Sequence, residues 1–115
     1  MRWEDAESER EGDLATATRG KARRPRRWRV LLHNDDFTTM EFVVRVLTEH
    51  FDKAPAEATQ IMLQVHLKGT GVAGVYPKDV AETKVAEVTA EARAEGMPLL
   101  LTTDPEPPEP GREGT

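Results

Sequence analysis

Hydrophobic and polar positions follow two different periods along the middle of the chain. The run WRVLLH at residues 28–33 has the composition of a β-strand and is followed by the turn-forming residues Asn34-Asp35-Asp36. Apolar residues then recur at the spacing of one helix face, and the segment TTME at residues 38–41 fits a capping box that begins at Thr38. We therefore predict a helix over about residues 39–51, with the apolar positions Met40, Val43, Val44, Leu47 and Phe51.

The second half of the pattern predicts two more helices and two more strands. Pro55 and Gly69 bracket a second helix with the apolar face Ala58, Ile61, Met62 and Val65. GVAGVY at residues 71–76 is typical of a strand, and Pro77 then begins a third helix that ends before Gly96. PLLLTT at residues 98–103 is too short for a helix and predicts a last strand. The order β-α-α-β-α-β indicates an α+β fold, with one three-stranded sheet covered by helices on one face.

The two ends of the chain differ in composition from this middle part. Residues 1–27 contain one leucine and no valine, isoleucine or phenylalanine, which leaves too little apolar surface to offset the entropy lost on ordering. The C-terminal stretch DPEPPEPGREGT combines prolines with acidic residues. We expect a disordered arm over residues 1–27, a folded core over residues 28–104 and a disordered tail over residues 105–115.

Composition excludes several classes of function. The 115 residues include no cysteine, so the chain has no disulfide, no thiolate metal site and no cysteine nucleophile. The one serine, Ser8, lies in the polar arm, which argues against a serine hydrolase and, with no cofactor motif present, against an enzyme. No stretch approaches the roughly 18 apolar residues of a membrane span, and the N-terminus lacks an apolar signal core. We expect a cytoplasmic protein without membrane association.

The formal net charge of -5 conceals a basic segment. Residues 14–29 carry seven Lys or Arg and no acid, and they end in KARRPRRWR. One alternative function is therefore nucleic-acid binding through the basic arm at residues 19–29, with Trp28 stacking on a base. The acidic core without an aromatic platform argues against this as the principal function.

The most unusual local feature is the Asn34-Asp35-Asp36 turn directly before a predicted helix. These residue types are ordinary in turns and helix caps. If the turn converges with His66, however, it offers amide, carboxylate and imidazole acceptors beside an apolar lining, which suits the α-ammonium group of a peptide and its first side chain. A second interpretation makes Asp36 and His66 a general acid/base pair, but no nucleophile accompanies them. No metal site is predicted, because His33, His50 and His66 show no paired ligand spacing.

Four segments of the chain resemble one protein family. They are HNDDFTTMEFVVRVL, ATQIMLQVHLKGTGVAGVY, VAETKVAEV and MPLLLT, in this order, and they cover about residues 29–103. Together they look like the successive signatures of ClpS, the adaptor of the Clp protease that delivers N-degron substrates. The resemblance implies an antiparallel sheet, no catalytic activity, no cofactor and a monomer.

The resemblance also implies a role for particular residues. The α-amino group of a substrate whose first residue is Leu, Phe, Tyr or Trp would be held by Asn34, Asp36 and His66, while Asp35 would contact the peptide backbone. The side-chain pocket would be formed by Leu32, Thr38, Met40, Val43, Met62, Val65 and Leu99, with Met40 as a gate against β-branched first residues. Two departures from the family pattern lie in the loop, where Thr39 replaces a common proline and Phe37 replaces a common tyrosine.

A second surface follows from the same resemblance. Glu82 and Lys84 would dock the N-terminal domain of a Clp AAA+ unfoldase, of the ClpA or the ClpC type, and the arm at residues 1–27 would help to hand substrate over. From residue pattern alone these two side chains would be read as part of a solvated helix face.

Overall fold

A computed structural model of the chain describes residues 25–107. The elements are β1 (Trp28–His33), α1 (Met40–His50), α2 (Pro55–Lys68), β2 (Thr70–Tyr76), α3 (Lys78–Ala94) and β3 (Leu100–Pro105). The described strands form one sheet in the order β2-β1-β3, in which β1 pairs antiparallel with both neighbours. The predicted α+β fold, with the order β-α-α-β-α-β and an antiparallel sheet, is confirmed.

The two faces of the sheet differ in what they contact. Successive side chains of a strand point to opposite faces, and Val30 and Leu32 of the central strand are fully buried. The neighbouring residues of β1 point the other way: Arg29 pairs with Asp104 of β3 at 2.7 Å between Nη2 and Oδ2, and both side chains are partly exposed. The helices therefore cover one face of the sheet, as predicted.

The three helices bury different amounts of apolar surface. In α1 the side chains of Phe42, Val43, Val46 and Leu47 are buried. α3 contacts all three strands and α1, and its buried residues Ala81, Val88 and Ala92 are small or medium-sized, which allows a close approach to the sheet. α2 packs on α1 and β2 and buries only Ala58 and Val65 fully. α2 consequently forms one side of the helical layer, where its remaining face meets solvent.

One glycine allows α2 to lie close to β2. A Cβ atom on Gly71 would come within 2.8 Å of Val65 Cγ2, which is a buried side chain of α2. The helix itself ends at Gly69, whose φ of 94° is the left-handed conformation that favours glycine and whose N–H donates to the Val65 carbonyl at 2.9 Å. The predicted end of the second helix is confirmed, and β2 begins directly after it.

The predicted cap of α1 was wrong by one residue. Thr39, and not Thr38, is the N-cap, because its side-chain oxygen accepts a hydrogen bond from the Phe42 backbone N–H at 3.1 Å. The Thr38 hydroxyl instead donates to Asp35 Oδ2 at 2.7 Å. The preceding turn therefore uses the threonine that the capping-box pattern assigned to the helix.

The last strand lies about two residues later than predicted. It spans Leu100–Pro105 and not residues 98–103, because Arg93 Nη1 donates to the carbonyls of Met97 at 2.8 Å and Leu99 at 3.2 Å and holds this segment against the end of α3. Beyond the predicted end, the Arg29–Asp104 pair stabilises the pairing with β1. β3 is an edge strand of the described sheet and therefore tolerates a proline at its end.

The ends of the chain lie largely outside the described part. Residues 1–24 and 108–115 are not among the described residues, so their disorder stays a prediction, whereas Pro105, which the predicted tail included, belongs to β3. Near the boundary, the Glu106 N–H donates to the Arg27 carbonyl at 2.7 Å, which continues the pairing past β3. None of the helices within residues 25–107 is long and apolar enough to cross a membrane.

Candidate functional site

The loop at residues 34–39 joins β1 to α1 and lies beside the end of α2. Its first residue is fixed there by the main chain, because the Asn34 N–H donates to the Gly69 carbonyl at 2.9 Å. Gly69 ends α2, and His66 lies in the last turn of that helix. The antiparallel pairing of β1 with β2 and the cap of α2 therefore bring the Asn34 turn and His66 to one place, which meets the condition stated from the sequence.

The Asp35 side chain fixes the conformation of this loop through hydrogen bonds. One carboxylate oxygen accepts hydrogen bonds from the backbone N–H groups of Phe37 and Thr38, both at 2.7 Å, and the other accepts from the Thr38 hydroxyl at 2.7 Å. Partial burial acts to raise the pKa of Asp35, but the bonds from Thr38 and Phe37 outweigh burial and leave the pKa below its ordinary value. The carboxylate of Asp35 is thus ionised and committed to the loop.

Asp36 and Asn34 are placed differently from Asp35. Both residues are exposed, and His66 across the site is exposed as well. No hydrogen bond within residues 25–107 uses the side chains of these three residues. Their amide, carboxylate and imidazole groups therefore face the site with acceptor capacity that the rest of the described fold does not use.

A cavity of about 400 Å³ opens between the loop, α1 and α2. Its apolar part includes Val43 and Val65, which are 6% and 3% exposed, and Met40, which is 46% exposed at the mouth. The lining residues are Asn34, Asp35, Asp36, Phe37, Thr38, Thr39, Met40, Val43, Met62, Val65 and His66. The arrangement is an apolar hollow with hydrogen-bond acceptors along one rim, which fits a ligand with a cationic group beside an apolar group.

Most of the predicted site residues lie in this cavity. Asn34, Asp36 and His66 line it, as do Asp35 and the predicted pocket residues Thr38, Met40, Val43, Met62 and Val65. Leu32 and Leu99 do not line it, since both belong to the buried core with exposures of 0% and 1%. Their part in a pocket stays a prediction, and within the described fold they belong to the same core cluster as the lining residues Val43 and Val65.

The sequence analysis missed two lining residues, Phe37 and Thr39. Phe37 is 77% exposed and lies at the edge of the cavity, and Thr39 caps α1. Both stand between predicted site residues in the chain, so their position next to Asp36, Thr38 and Met40 was a signal that could have identified them.

The second predicted surface lies on α3, away from the cavity. Glu82 is exposed there, in agreement with a position on a solvated face. Lys84 is only partly exposed, because its Nζ donates to the His50 carbonyl at 2.7 Å and lies 5.8 Å from the Phe51 ring centroid and 5.5 Å from that of Tyr76. The ammonium group of Lys84 therefore binds the C-terminal end of α1, where a positive charge complements the helix dipole.

Polar side chains connect α1 to α3 near Lys84. The His50 Nε2 and Glu91 Oε1 atoms are 2.7 Å apart, and Arg45 Nη2 lies 3.3 Å from Glu91 Oε2 and also pairs with Glu95. The hydrogen bond to His50 acts first to lower the pKa of Glu91; burial opposes this, and Arg45 adds to the lowering. We call the residues Arg45, Glu49, His50, Lys84, Glu91 and Glu95 the α1–α3 polar network.

Three members of this network, Glu49, His50 and Glu91, place possible metal-ligand atoms within 4.8 Å of one another. The spacing of the histidines in the sequence does not reveal this group, because its members come from two different helices. Arg45 already pairs with both carboxylates, at 3.9 Å for Glu49 and 3.3 Å for Glu91. The guanidinium group thus supplies the positive charge that a cation would bring.

The described part of the basic segment is engaged in the fold. Arg29 forms two hydrogen bonds with Asp104, and Arg27 Nη2 donates to the Val75 carbonyl at 3.2 Å. These contacts use two of the arginines that the nucleic-acid alternative needs for phosphates. Nothing in residues 25–107 favours that alternative.

Comparisons with known proteins agree with the geometry. Residues 23–102 match the family model described as ATP-dependent Clp protease adaptor protein ClpS. The ATP-dependent Clp protease adapter protein ClpS of Deinococcus radiodurans is 57% identical over 96 residues, which cover 84% of this chain and 85% of that protein. The protein of the same name from Oleidesulfovibrio alaskensis is 64% identical over 80 residues, which cover 70% of this chain and 77% of that protein.

A solved structure is similar as well. The structure of Agrobacterium tumefaciens ClpS2 bound to L-phenylalaninamide superposes with a TM-score of 0.69 at 40% sequence identity, and the match covers 72% of this chain and 100% of that chain. The resemblance stated from the sequence is thereby confirmed. With a family model that spans most of the described fold and relatives more than half identical, the chain belongs to the ClpS family of ATP-dependent Clp protease adaptors.

Proposed function

We propose that this protein is a non-catalytic adaptor that binds substrates through a bulky hydrophobic first residue, Leu, Phe, Tyr or Trp, and delivers them to a Clp unfoldase. The observation that carries the proposal is the cavity in which Asn34, Asp36 and His66 line one rim of an apolar hollow. The solved relative from Agrobacterium tumefaciens supports it, since L-phenylalaninamide has an α-amino group next to an aromatic side chain.

The chemistry of the rim fits an N-terminal ammonium group. An ammonium has three donors and no acceptor, so the amide oxygen of Asn34, the carboxylate of Asp36 and a neutral His66 imidazole together satisfy it. An acetylated N-terminus has lost the charge and two of the three donors. The same is true of the amide nitrogen of an internal residue. The rim therefore distinguishes the first residue of a chain from all others.

The apolar hollow supplies the rest of the affinity. Burying one Leu or Phe side chain contributes roughly 1.5–3 kcal/mol, and each hydrogen bond to a charged group roughly 1.5–3 kcal/mol. Because association costs translational and rotational freedom, the sum supports a Kd on the order of micromolar only if the site is preformed. The Asp35 hydrogen bonds and the Asn34–Gly69 contact fix the loop before any ligand arrives.

Binding of a labelled Leu-first peptide, measured by fluorescence anisotropy, tests the proposal. We expect a Kd on the order of micromolar for this peptide. The acetylated peptide, and the same peptide with one glycine inserted before the leucine, should each bind roughly 100-fold more weakly, because they lose charged hydrogen bonds or shift the side chain away from the ammonium. Equal binding of the three peptides would refute the adaptor function.

We also propose that α3 carries the surface that docks the N-terminal domain of a ClpA-type or ClpC-type unfoldase. Glu82 offers an exposed carboxylate for this contact, and Lys84 contributes mainly by holding α3 to the end of α1. Glu82→Ala should weaken binding of the chain to an isolated unfoldase N-terminal domain and leave peptide affinity unchanged. Glu57→Ala, which removes an exposed carboxylate of α2, is the matched control and should change neither.

The remaining parts of the proposal concern the assembly and its location. We propose a monomer in the cytoplasm without bound cofactor, since the described residues of one copy already include both the cavity lined by Asn34, Asp36 and His66 and the α3 surface. Sedimentation of the purified chain and fractionation of cells test these two statements. A stable dimer that covers the cavity would contradict the first.

A further inference from the structure

A second cavity lies directly beside the first. It has a volume of about 340 Å³ and lies between the outer side of α1 and α2. Met40 and Met62 line both cavities, so the two methionines form the wall between them. Val44 lines only the second cavity, whereas Val43, its neighbour in the chain, lines only the first.

The second cavity is apolar inside and charged only at its edge. Its lining consists of Met40, Val44 and Met62 together with Glu41 and Arg45. The guanidinium of Arg45 lies 5.0 Å from the Phe42 ring centroid and is paired with Glu91 of α3 and with Glu95 directly after this helix, so it is not free to bind a ligand strongly. A side chain that enters between the two methionines and the valine therefore gains by being apolar.

The geometry of an extended peptide selects which side chain can reach this cavity. Successive side chains of an extended chain point in opposite directions, and the rise is roughly 3.3 Å per residue. A peptide whose first side chain enters the first cavity thus directs its third side chain toward the same surface, roughly 6.6 Å further along. The second side chain points away from the protein.

We propose that the second cavity binds an apolar side chain at the third position of the N-terminal peptide, so that the adaptor selects substrates by their first and third residues. This inference rests on the proposed function, because the first residue anchors the peptide. Because Met40 and Met62 line both cavities, a first side chain that contacts these methionines leaves the next residues of the peptide near the second cavity. The flexible side chains of Met40 and Met62 can adjust to both residues at once.

Four peptides test the inference by fluorescence anisotropy. They begin Leu-Ser-Leu, Leu-Leu-Ser, Leu-Ser-Ser and acetyl-Leu-Ser-Leu and are otherwise identical. We expect Leu-Ser-Leu to bind about tenfold more tightly than Leu-Ser-Ser, which corresponds to partial burial of one leucine. Leu-Leu-Ser should bind like Leu-Ser-Ser, and the acetylated peptide should bind roughly 100-fold more weakly than Leu-Ser-Leu.

Val44→Gln and Leu67→Gln form a matched pair of variants. Val44→Gln makes the second cavity polar and leaves the lining of the first unchanged, so the preference for Leu-Ser-Leu over Leu-Ser-Ser should fall from about tenfold to about twofold. Leu67 is 76% exposed on α2 and lines neither cavity, so Leu67→Gln should preserve the tenfold preference. If thermal melting shows Val44→Gln to be unfolded, the isosteric Val44→Thr replaces it, with a smaller decrease in the same direction.

Three results would overturn the inference while the proposed function stands. One is equal affinity for Leu-Ser-Leu and Leu-Ser-Ser in a protein that still rejects the acetylated peptide. Another is a tenfold preference for Leu-Ser-Leu over Leu-Ser-Ser that remains in the Val44→Gln variant. Tighter binding of Leu-Leu-Ser than of Leu-Ser-Leu would also overturn it. Failure of the proposed function has a different signature, since no Leu-first peptide would then bind better than its acetylated form.

Discussion

The two ends of α1 use polar side chains in opposite ways. At its N-terminal end, Asn34, Asp36 and His66 line a cavity and are exposed. At its C-terminal end, the side chains of the α1–α3 polar network are bonded within the fold, as in the 2.7 Å contact between His50 and Glu91. Acceptors that the fold leaves unused are available to a ligand, whereas acceptors that are satisfied within the fold stabilise it.

Adjacent aspartates show the same contrast at the scale of two residues. Asp35 accepts three hydrogen bonds within the loop, and Asp36 accepts none within the described residues. Both line the cavity and both are carboxylates, so residue type alone does not distinguish them. The structure assigns the loop geometry to the first, and the proposed function assigns ligand binding to the second.

The largest expected effect comes from replacing these two residues in turn. Asp36→Ala should lower the affinity for a Leu-first peptide about 10- to 100-fold, because one charged hydrogen bond is lost, and should change the free energy of unfolding by less than about 0.5 kcal/mol. Asp35→Ala removes the acceptor of three loop hydrogen bonds and should lower the free energy of unfolding by about 2 kcal/mol. Peptide titrations and urea unfolding measure the two effects.

Asp35→Ala should also weaken peptide binding, since the loop then loses its preorganisation. Comparing the change in peptide affinity with the change in the free energy of unfolding separates the two roles. Asp36→Ala should change only the affinity, whereas Asp35→Ala should change both quantities. An Asp36→Ala protein that binds the peptide normally would show that the unused acceptor is not part of the ligand site.

The next effect concerns Met40 at the mouth of the first cavity. Its side chain is 46% exposed, so Met40→Ala widens the entrance with a small change in stability. The variant should bind Val-first and Ile-first peptides about tenfold more tightly than the unaltered protein does, because a β-branched side chain then no longer meets the methionine. A competition titration against a Leu-first peptide measures the change, and continued exclusion of Val-first peptides would remove Met40 from the gating role.

Much of the fold follows from local signals. The strand at residues 28–33 and the second helix, with its proline start and glycine end, lie where the sequence predicted them. The errors lie where partners distant in the chain decide the structure. β3 extends to Pro105 because Asp104 bonds to Arg29, 75 residues away. The acidic, proline-rich composition of this stretch does not indicate that pairing.

The site was predicted less directly than the fold. Residue types alone indicated a polar turn and a histidine on a helix face, and the assignment of roles came from the family resemblance. The hydrogen bond between Asn34 and Gly69, which brings the turn to His66, joins residues of different elements and depends on the strand register. The family resemblance assigned Leu32 and Leu99 to the pocket, and the structure shows that both are buried in the core and do not line the cavity.

Lys84 and Glu82 of α3 differ in the same way, since Lys84 is bonded within the fold and Glu82 is exposed. Lys84→Met keeps the length and apolar stem of the side chain but removes the donor to the His50 carbonyl, so it should lower the free energy of unfolding by about 1 kcal/mol. Glu82→Ala should change it by less than about 0.5 kcal/mol, because the residue is exposed. Thermal or urea unfolding of both variants checks this difference. Identical unfolding curves for Lys84→Met and the unaltered protein would return Lys84 to the solvent-exposed docking face.

The smallest expected effect is a pH dependence of stability that originates in the α1–α3 polar network. The pKa of Glu91 is lowered in the folded protein, first by the hydrogen bond to His50 and then, against the opposing effect of burial, by Arg45. A carboxyl group with a lowered folded pKa stabilises the fold above its unfolded pKa, and this stabilisation is lost as the pH falls through the folded pKa. The window therefore lies on the acid side, from the ordinary glutamate value of about 4.3 downward.

Glu91→Gln isolates this contribution because glutamine is neutral at every pH. Near neutral pH the unaltered protein should be more stable than the variant by at most about 1 kcal/mol, since the network is partly exposed to solvent. The difference should shrink as the pH falls through the lowered folded pKa of Glu91, where the side chain becomes protonated and neutral like glutamine. Salt at about 1 M should also reduce the difference measured near neutral pH, because exposed charges are screened. Urea unfolding at several pH values measures this difference in stability. A difference that stays constant down to acid pH would show that packing of the Glu91 side chain, and not its charge, connects α1 to α3. The two ends of α1 would then differ in more than whether their polar groups are satisfied.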